Sequence, residues 1–181
     1  MAAPTLSVRE LQPADIEPLA DYWLNSSPAH LTGMGVDLAK MPGRAEWIAM
    51  LTEQLHTPGP AKQSYCLIFE VDGRAVGHTN INQIRPGEQA HMHLHLWDAE
   101  VRRQGLGSAL VRLALPRFFA AYELQRLYCE PYALNPAPNR TLARLGFAFE
   151  REYVTTPGWL NFEQPVKRWM LTREQLAQLP A

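Results

Sequence analysis

The feature that most constrains this chain is an alternating strand pattern that changes within a few residues into a helical one. Side chains of residues 90–97 alternate between polar and apolar, which predicts a β-strand. The apolar residues of 105–122 recur at helical spacing, and Gly105 and Gly107 stand where this helix begins. A helix that starts directly after such a loop presents free backbone N–H groups and a partial positive charge. The segment therefore favours binding of a phosphate group.

The remaining patterns predict a mixed sheet with helices on both faces. Tight turns at Asp72-Gly73 and Pro86-Gly87 join three strands into an antiparallel meander. The helix 105–122 lies between two predicted strands, and such a crossover makes these strands parallel neighbours. The predicted class is α/β (α+β) with three layers. Predicted strands cover residues 5–11, 65–71, 74–84, 90–97, 126–129, 147–154 and 168–172, and further helices cover 16–24 (capped by Asp15), 44–56, 135–145 and 173–178.

Composition and charge exclude several classes of protein. A length of 181 residues suits a single domain, residues 1–181. The net charge of −1 argues against a nucleic-acid partner. Apolar runs are too short to span a membrane, and the N-terminus lacks a secretory pattern, so we expect a cytoplasmic protein. Cys66 and Cys129 are too few for a disulfide framework, and we expect buried free thiols.

Three histidines, His91, His93 and His95, alternate along the predicted strand and therefore share one of its faces. One interpretation is a polar, hydrogen-bonded face, and a second is a zinc site. The third is proton transfer, because an imidazole with a pKa near ~6.5 suits a general base at neutral pH. No further ligand cluster accompanies the three histidines, so we expect no metal.

Two motifs together resemble the GNAT superfamily of N-acetyltransferases. Residues 102–107 (Arg-Arg-Gln-Gly-Leu-Gly), between an alternating strand and a long helix, resemble the acetyl-CoA signature of that family. Residues 135–147 resemble its second motif, in which an Asn precedes a short helix that ends in Leu-Gly-Phe. The resemblance extends over most of the chain. It implies acetyl-CoA as cosubstrate, and it implies that the two parallel strands at the centre of the sheet splay apart to admit the thioester.

The resemblance also implies roles for individual residues. The backbone after the central strand would hold the pyrophosphate of coenzyme A, and the end of that strand would contact the pantetheine arm. His91 and His93 match positions that carry catalytic residues in relatives, so we expect a base or water relay there. Leu142 stands where many members carry a Tyr general acid, and Tyr132 is the candidate substitute. The implied cofactor-binding residues are Leu96, Trp97, Asp98, Arg102, Arg103, Gln104, Gly105, Leu106, Gly107, Ser108, Asn135 and Asn139.

These features predict direct transfer of an acetyl group to the primary amine of a small molecule, by a monomer or homodimer. We expect residues 25–41 to form an irregular loop over the acceptor site. Three alternatives stay open: a peptide or protein N-terminal acetyltransferase, a non-catalytic acyl-CoA-binding module, and a metal-dependent hydrolase that uses the three histidines. Candidate residues for the acceptor pocket are Tyr22, Trp23, His30, His78, Asn80 and Trp159.

Overall fold

A computed structural model describes residues 3–179 and contains a seven-stranded sheet. The strands are β1 (Leu6–Glu10), β2 (Ser64–Val71), β3 (Arg74–Arg85), β4 (Gln89–Leu96), β5 (Arg126–Cys129), β6 (Ala148–Thr155) and β7 (Gln164–Thr172). Their order across the sheet is β1-β2-β3-β4-β5-β7-β6. Within the described residues, β4 and β5 form the one parallel pair, and the other neighbours are antiparallel. The predicted mixed sheet and its meander are confirmed.

Helices cover both faces of this sheet. They are α1 (Ile16–Asn25), α2 (Pro28–Gly33), α3 (Arg44–His56), α4 (Ala99–Arg103), α5 (Gly107–Ala121), α6 (Pro136–Arg144) and α7 (Arg173–Gln178). In the part of the chain that the structure describes, no helix combines the length and the apolar character that crossing a membrane requires.

Strand β2 shows how the three layers are held together. Its alternate side chains point to opposite faces of the sheet. Leu67 and Phe69 join the apolar cluster that contains α5, whereas Cys66 and Ile68 join the cluster that contains α1 and α3. The same alternation applies to β4, where Met92 packs in the α5 cluster. The histidines of β4 therefore face α1 and α3.

The parallel pair separates soon after it begins. Three register pairs join β4 to β5, and the last of them sets His91 opposite Tyr128. Strand β4 continues for five more residues to Leu96, whereas β5 ends at Cys129. The two strands therefore diverge into a gap, as the family resemblance implies. Along this gap, the β4 edge has backbone groups that β5 does not pair.

Residues 25–41 differ from the irregular loop that the sequence predicts, because they contain α2. Ser27 caps this helix by accepting a hydrogen bond from the backbone N–H of His30 (3.2 Å), and Pro28 occupies its first position. The chain after α2 is fixed to the segment before β7. The Asp37 N–H donates to the Leu160 carbonyl (2.8 Å), and the Asn161 side chain donates to the carbonyl of residue 35 (2.9 Å).

Three further boundaries differ from those predicted. Asp15 does not cap α1 through its side chain; its carboxylate pairs with Arg9 (2.6 Å) and accepts from the Gln12 N–H (2.8 Å). The long helix begins at Gly107, and the separate helix α4 precedes it. Strand β7 starts four residues earlier than predicted.

Candidate active site

A cavity of about 460 Å³ lies where β4 and β5 diverge. Strands β3 and β4 form its polar floor, and α1, α3 and the segment 157–161 form an apolar wall. The end of β5 and the start of α6 close a third side. Its lining residues include Trp23, Trp47, His78, Asn80, Asn82, His93, His95, Glu130, Tyr132, Asn135 and Trp159.

The floor of the cavity is a polar ladder across two strands. The register places His78 opposite His95, Asn80 opposite His93, and Asn82 opposite His91. The rings of His78 and His95 stack with their centroids 4.8 Å apart. Such cross-strand neighbours on one face are close enough to interact directly. The histidines of β4 therefore have hydrogen-bonding neighbours on β3.

The histidines that line the cavity are neutral at pH 7. Burial lowers the pKa of His78 to about 3 and that of His93 to about 4, and it brings the pKa of His95 well below its usual value. His78 Nδ1 accepts a hydrogen bond from Trp97 Nε1 (2.8 Å). A neutral imidazole carries one proton and one acceptor nitrogen, which is the form that a general base requires.

A contact with Asn82 fixes the orientation of His93. Its Nε2 lies 3.2 Å from Asn82 Oδ1, and because that amide oxygen is an acceptor, Nε2 is assigned the proton. Nδ1 is then the acceptor nitrogen. Asn82 thus fixes both the ring orientation and the tautomer of a histidine that lines the cavity.

His91 lies outside the set of residues that line the cavity. Its Nδ1 is 3.7 Å from Glu130 Oε2, and its ring lies against Tyr128. Burial lowers the pKa of His91, and the neighbouring Glu130 carboxylate opposes this shift. Glu130 also accepts hydrogen bonds from Tyr153 (2.5 Å) and Arg168 (3.3 Å). His91 belongs to this buried ionic network.

A line of polar groups runs from His95 toward the surface. The Tyr22 hydroxyl lies 3.3 Å from His95 Nδ1 and 3.3 Å from His30 Nε2. His30 Nε2 in turn lies 3.4 Å from Nη1 of the exposed Arg102. Burial raises the pKa of Tyr22, so its hydroxyl keeps its proton. These groups connect the cavity with the loop that follows β4.

Tyr132 lines the cavity just beyond β5. A backbone bridge to Val166 holds it in place, and its ring packs at 5.8 Å on Phe162. Leu142, which stands at the usual Tyr position of the family, is fully buried in the α5 cluster. Tyr132 is therefore a phenol that lines the cavity where β5 ends, and its role as an acid stays a prediction.

The loop after β4 leaves several backbone amides accessible. Gly105 is exposed and has φ +72°, which is the left-handed region that favours glycine. The first amides of α5 have no intrahelical acceptor, because Leu110 is the first residue to donate back, to Leu106. The Gln104 and Gly105 N–H groups already donate to the carbonyls of Glu100 (3.1 Å) and Arg102 (3.4 Å), so the N–H groups available to an anion are those of residues 106–109.

The charged side chains around this loop are engaged locally. The Asp98 carboxylate caps α4 by accepting from the Glu100 N–H (2.8 Å), and Arg103 pairs with Glu100. Arg102 Nη1 donates to the carbonyl of Leu96 (2.9 Å). This turn also contains Leu96, Trp97, Gln104, Leu106, Gly107 and Ser108, whose contacts with a cofactor stay predictions.

Asn135 precedes α6, and its side chain makes no hydrogen bond within the described residues. An N-cap side chain bonds the second or third N–H of its helix, but Pro138 at the third position has none. Asn139 is committed to the protein itself: its amide donates to the carbonyls of Tyr132 (3.1 Å) and Asn135 (2.7 Å) and accepts from Trp169 (2.8 Å). Of the two asparagines, Asn135 alone lines the cavity.

The two cysteines are buried free thiols, as the sequence predicts, and both line the cavity. Burial raises the pKa of Cys66 and of Cys129 to about 12, so both stay protonated and are poor nucleophiles. Within residues 3–179, no group of three or more His, Cys, Asp or Glu side chains is placed to hold a metal ion.

The gap between parallel strands, the exposed amides of the following loop and the polar cavity together define an acyltransferase of the GNAT type. Residues 5–148 match the family described as Acetyltransferase (GNAT) domain. The chain therefore belongs to the GNAT acetyltransferase family. Membership of this family makes the protein an acyltransferase and not the metal-dependent hydrolase that the sequence analysis left open. Comparison with curated protein sequences gives no match.

Solved structures with the same fold include two N-acetyltransferases. RimL, a ribosomal-protein alpha-N-acetyltransferase in complex with coenzyme A, has a TM-score of 0.76 at 16% identity, with 94% of this chain and 96% of that chain covered. Spermidine N-acetyltransferase from Vibrio cholerae, in complex with CoA and spermine, has a TM-score of 0.77 at 16% identity, with 95% and 98% covered. An uncharacterized protein from Bacillus halodurans has a TM-score of 0.74 at 14% identity, with 97% and 88% covered.

Sequence reasoning overlooked two groups of residues in this site. Trp47 belongs to the helix that the sequence predicts over residues 44–56 and is not among the candidate pocket residues, yet it lines the cavity beside Trp23. Glu130 and Asn82 were not expected at all. The position of Glu130 could have predicted a place in the site, because Glu130 directly follows β5 at the carboxyl end of a parallel pair, where ligands bind in α/β sheets.

Proposed function

We propose that this protein transfers the acetyl group of acetyl-CoA directly to the primary amine of a small molecule. The observation that carries the proposal is the gap between β4 and β5, which begins after His91 and ends at the glycine loop. A thioester inserted in this gap has the free amides of residues 106–109 at one end and the polar floor of the cavity at the other. Both structural relatives that bear an activity in their names acetylate amines.

The bond changes involve the β4 edge, His93 and Tyr132, and two asparagines hold the cofactor and the chain in place. The neutral amine attacks the thioester carbonyl, the new bond joins nitrogen to the acetyl carbon, and the unpaired N–H groups on the β4 edge stabilise the oxyanion. His93 Nδ1 takes the proton that the nitrogen loses. The carbon–sulfur bond then breaks, and coenzyme A leaves as a thiolate of pKa near ~8.5 that Tyr132 or water protonates. Asn135 contacts the pantetheine arm, and Asn139 holds the chain that carries Tyr132 and Asn135.

His93 must be neutral because it has to accept the N–H proton that the amine nitrogen loses when its bond to the acetyl carbon forms. An aliphatic ammonium has a pKa near ~10.4 and is mostly charged at pH 7. The small fraction of neutral amine binds, and its N–H becomes acidic only as the bond to carbon forms. Neutral His93 accepts the proton at that stage, and its low pKa favours release of that proton to solvent afterwards.

The test is acetyl-CoA consumption with a panel of primary amines, followed by mass spectrometry of the product. We expect N-acetylated product from the wild type, and a loss of about 10²–10⁴ in kcat for His93→Gln with the KM for acetyl-CoA unchanged. His56→Gln is the matched control, because His56 is exposed at the end of α3 and lies outside the cavity. Equal kcat in His93→Gln and wild type would exclude His93 as the base.

A further inference from the structure

We infer that the acceptor is an aromatic primary amine with no second charged group, whose ring lies against the tryptophan wall of the cavity; this inference rests on the proposed function. Three tryptophans form that wall. Trp23 and Trp47 stack in parallel with centroids 5.4 Å apart, and Trp159 lies 5.9 Å from Trp47 at an angle of 50°. All three line the cavity.

The wall has a buried part and an accessible part. Trp23 and Trp47 are 7% and 6% exposed, whereas Trp159 is 57% exposed. A large aromatic side chain at the mouth of a cavity leaves apolar surface in water, which is costly until a ligand covers it. Residues Leu19, Leu51 and Met34 complete the apolar side. Because the rings of Trp47 and Trp159 are tilted by 50° to each other, a ligand ring that binds beside Trp159 can contact both indoles.

The charges around the cavity disfavour a polyamine. Among the described residues that line it, Glu130 is the one carboxylate, and lysine and arginine are absent from the lining. Glu130 is already engaged by Arg168, Tyr153 and His91. A second or third ammonium group would lie beside tryptophan, leucine, methionine and the neutral amides of Gln54 and Asn161, without a counter-ion, and burial of an unpaired charge is strongly unfavourable.

The polar and apolar surfaces are arranged for a molecule with one polar end. His93, Asn80 and Asn82 lie on the floor, next to the gap that receives the thioester. The tryptophans form the opposite wall, on α1, α3 and the segment 157–161. An amine nitrogen directed at His93 therefore places the rest of the molecule against the indoles. A volume of about 460 Å³ suits a small molecule and the end of the acetylated arm together.

The test compares three amines at saturating acetyl-CoA: 2-phenylethylamine, 2-cyclohexylethylamine and spermidine. The first two have the same reach and differ in aromatic character, and spermidine carries additional charges. We expect kcat/KM for 2-phenylethylamine to exceed that for the cyclohexyl compound about threefold or more, since an aromatic contact is worth roughly 0.5–1.5 kcal/mol beyond burial. We expect it to exceed that for spermidine at least about tenfold, because each unpaired ammonium resists burial.

Trp159→Ala is the variant of choice, because Trp159 is exposed and its loss leaves the core intact. We expect it to raise the KM for 2-phenylethylamine several-fold and to leave the KM for acetyl-CoA unchanged. Phe149→Ala is the matched control: Phe149 is the other exposed aromatic side chain in the described part of the chain, and it lies on β6 outside the cavity. An unchanged KM in Trp159→Ala would overturn the inference.

A preference for spermidine, or equal use of the phenyl and cyclohexyl amines, would overturn it as well. Binding of 2-phenylethylamine is measured separately by calorimetry on wild type and Trp159→Ala. If no amine is acetylated, the proposed function fails, while binding that Trp159→Ala weakens would still support the aromatic site. Absence of binding in a folded protein that turns over other amines would reject the aromatic site alone.

Discussion

At the scale of single residues, Asn135 and Asn139 show how two similar side chains divide between function and structure. Asn139 makes three hydrogen bonds in a buried position, and Asn135 makes none and lines the cavity. Replacing Asn139 by Leu would leave the Trp169 N–H without its acceptor and would remove one donor each from the carbonyls of Tyr132 and Asn135; the Tyr132 carbonyl still accepts from the Asn135 N–H. An unsatisfied buried group costs about 1–3 kcal/mol, so we expect Asn139→Leu to lower the free energy of unfolding by about 2 kcal/mol in urea titrations.

Asn135→Ala is the matched control for that change. We expect its stability to stay within about 0.5 kcal/mol of wild type, because no bond is lost, and its KM for acetyl-CoA to rise. If Asn135→Ala were the more destabilising of the two, the division of roles between these asparagines would be wrong.

The protonation of His93 gives a second prediction at this scale. Burial lowers its pKa to about 4, so the neutral form that accepts a proton persists on acidification to about pH 5. A pH profile of kcat with a saturating amine should therefore show no inflection near pH 6.5. The ionisation of the free amine should instead appear in kcat/KM, with an apparent pKa that changes from one acceptor to another. A fixed inflection near pH 6.5 for all amines would indicate a solvated histidine as the base.

At the scale of elements, the loop between β4 and α5 depends on Gly105. Its φ of +72° is unfavourable for other residues by roughly 1 kcal/mol or more. We expect Gly105→Ala to raise the Kd for acetyl-CoA at least about tenfold, because the loop amides lose their arrangement. Gly73→Ala provides the control: Gly73 has φ +74° and open space around it in the turn between β2 and β3. This variant should lose similar stability and bind acetyl-CoA normally.

The elements also show what the sequence predicts and what it does not. The strand and helix patterns around 90–122 predict the central crossover, because periodicity is a local property. Helix α2 is six residues long and too short for a periodic pattern, although Ser27-Pro28 carries a cap signal that was overlooked. The pairing of His91 with Glu130 joins residues 39 positions apart and depends on the register of β4 and β5. Such side-chain contacts follow from packing, which no local pattern encodes.

At the scale of the whole molecule, the buried histidines predict sensitivity to acid. The pKa of His78 is about 3 and that of His93 about 4 in the folded chain, against about 6.5 in the unfolded chain. Above pH 6.5 both states are neutral and stability is unaffected. Below it the unfolded chain binds protons that the folded chain does not, so stability falls. We expect a loss on the order of 1 kcal/mol per histidine between pH 6.5 and pH 5.5.

Urea unfolding at these two pH values checks this prediction. His93→Gln should reduce the difference in unfolding free energy between the two pH values by its own share. Equal stability of the wild type at both pH values would mean that the histidines of the floor are hydrated.

The central claim is that the gap between β4 and β5, with the loop that follows it, binds acetyl-CoA. The most direct measurement is calorimetric titration of the protein with acetyl-CoA, with Gly105→Glu as the comparison variant and Gly73→Ala as the folding control. We predict one site per chain with a Kd in the range of about 1–100 µM, abolished in Gly105→Glu and retained in Gly73→Ala. A correctly folded wild-type protein that shows no binding heat at 1 mM acetyl-CoA, about tenfold above that range, would contradict the account.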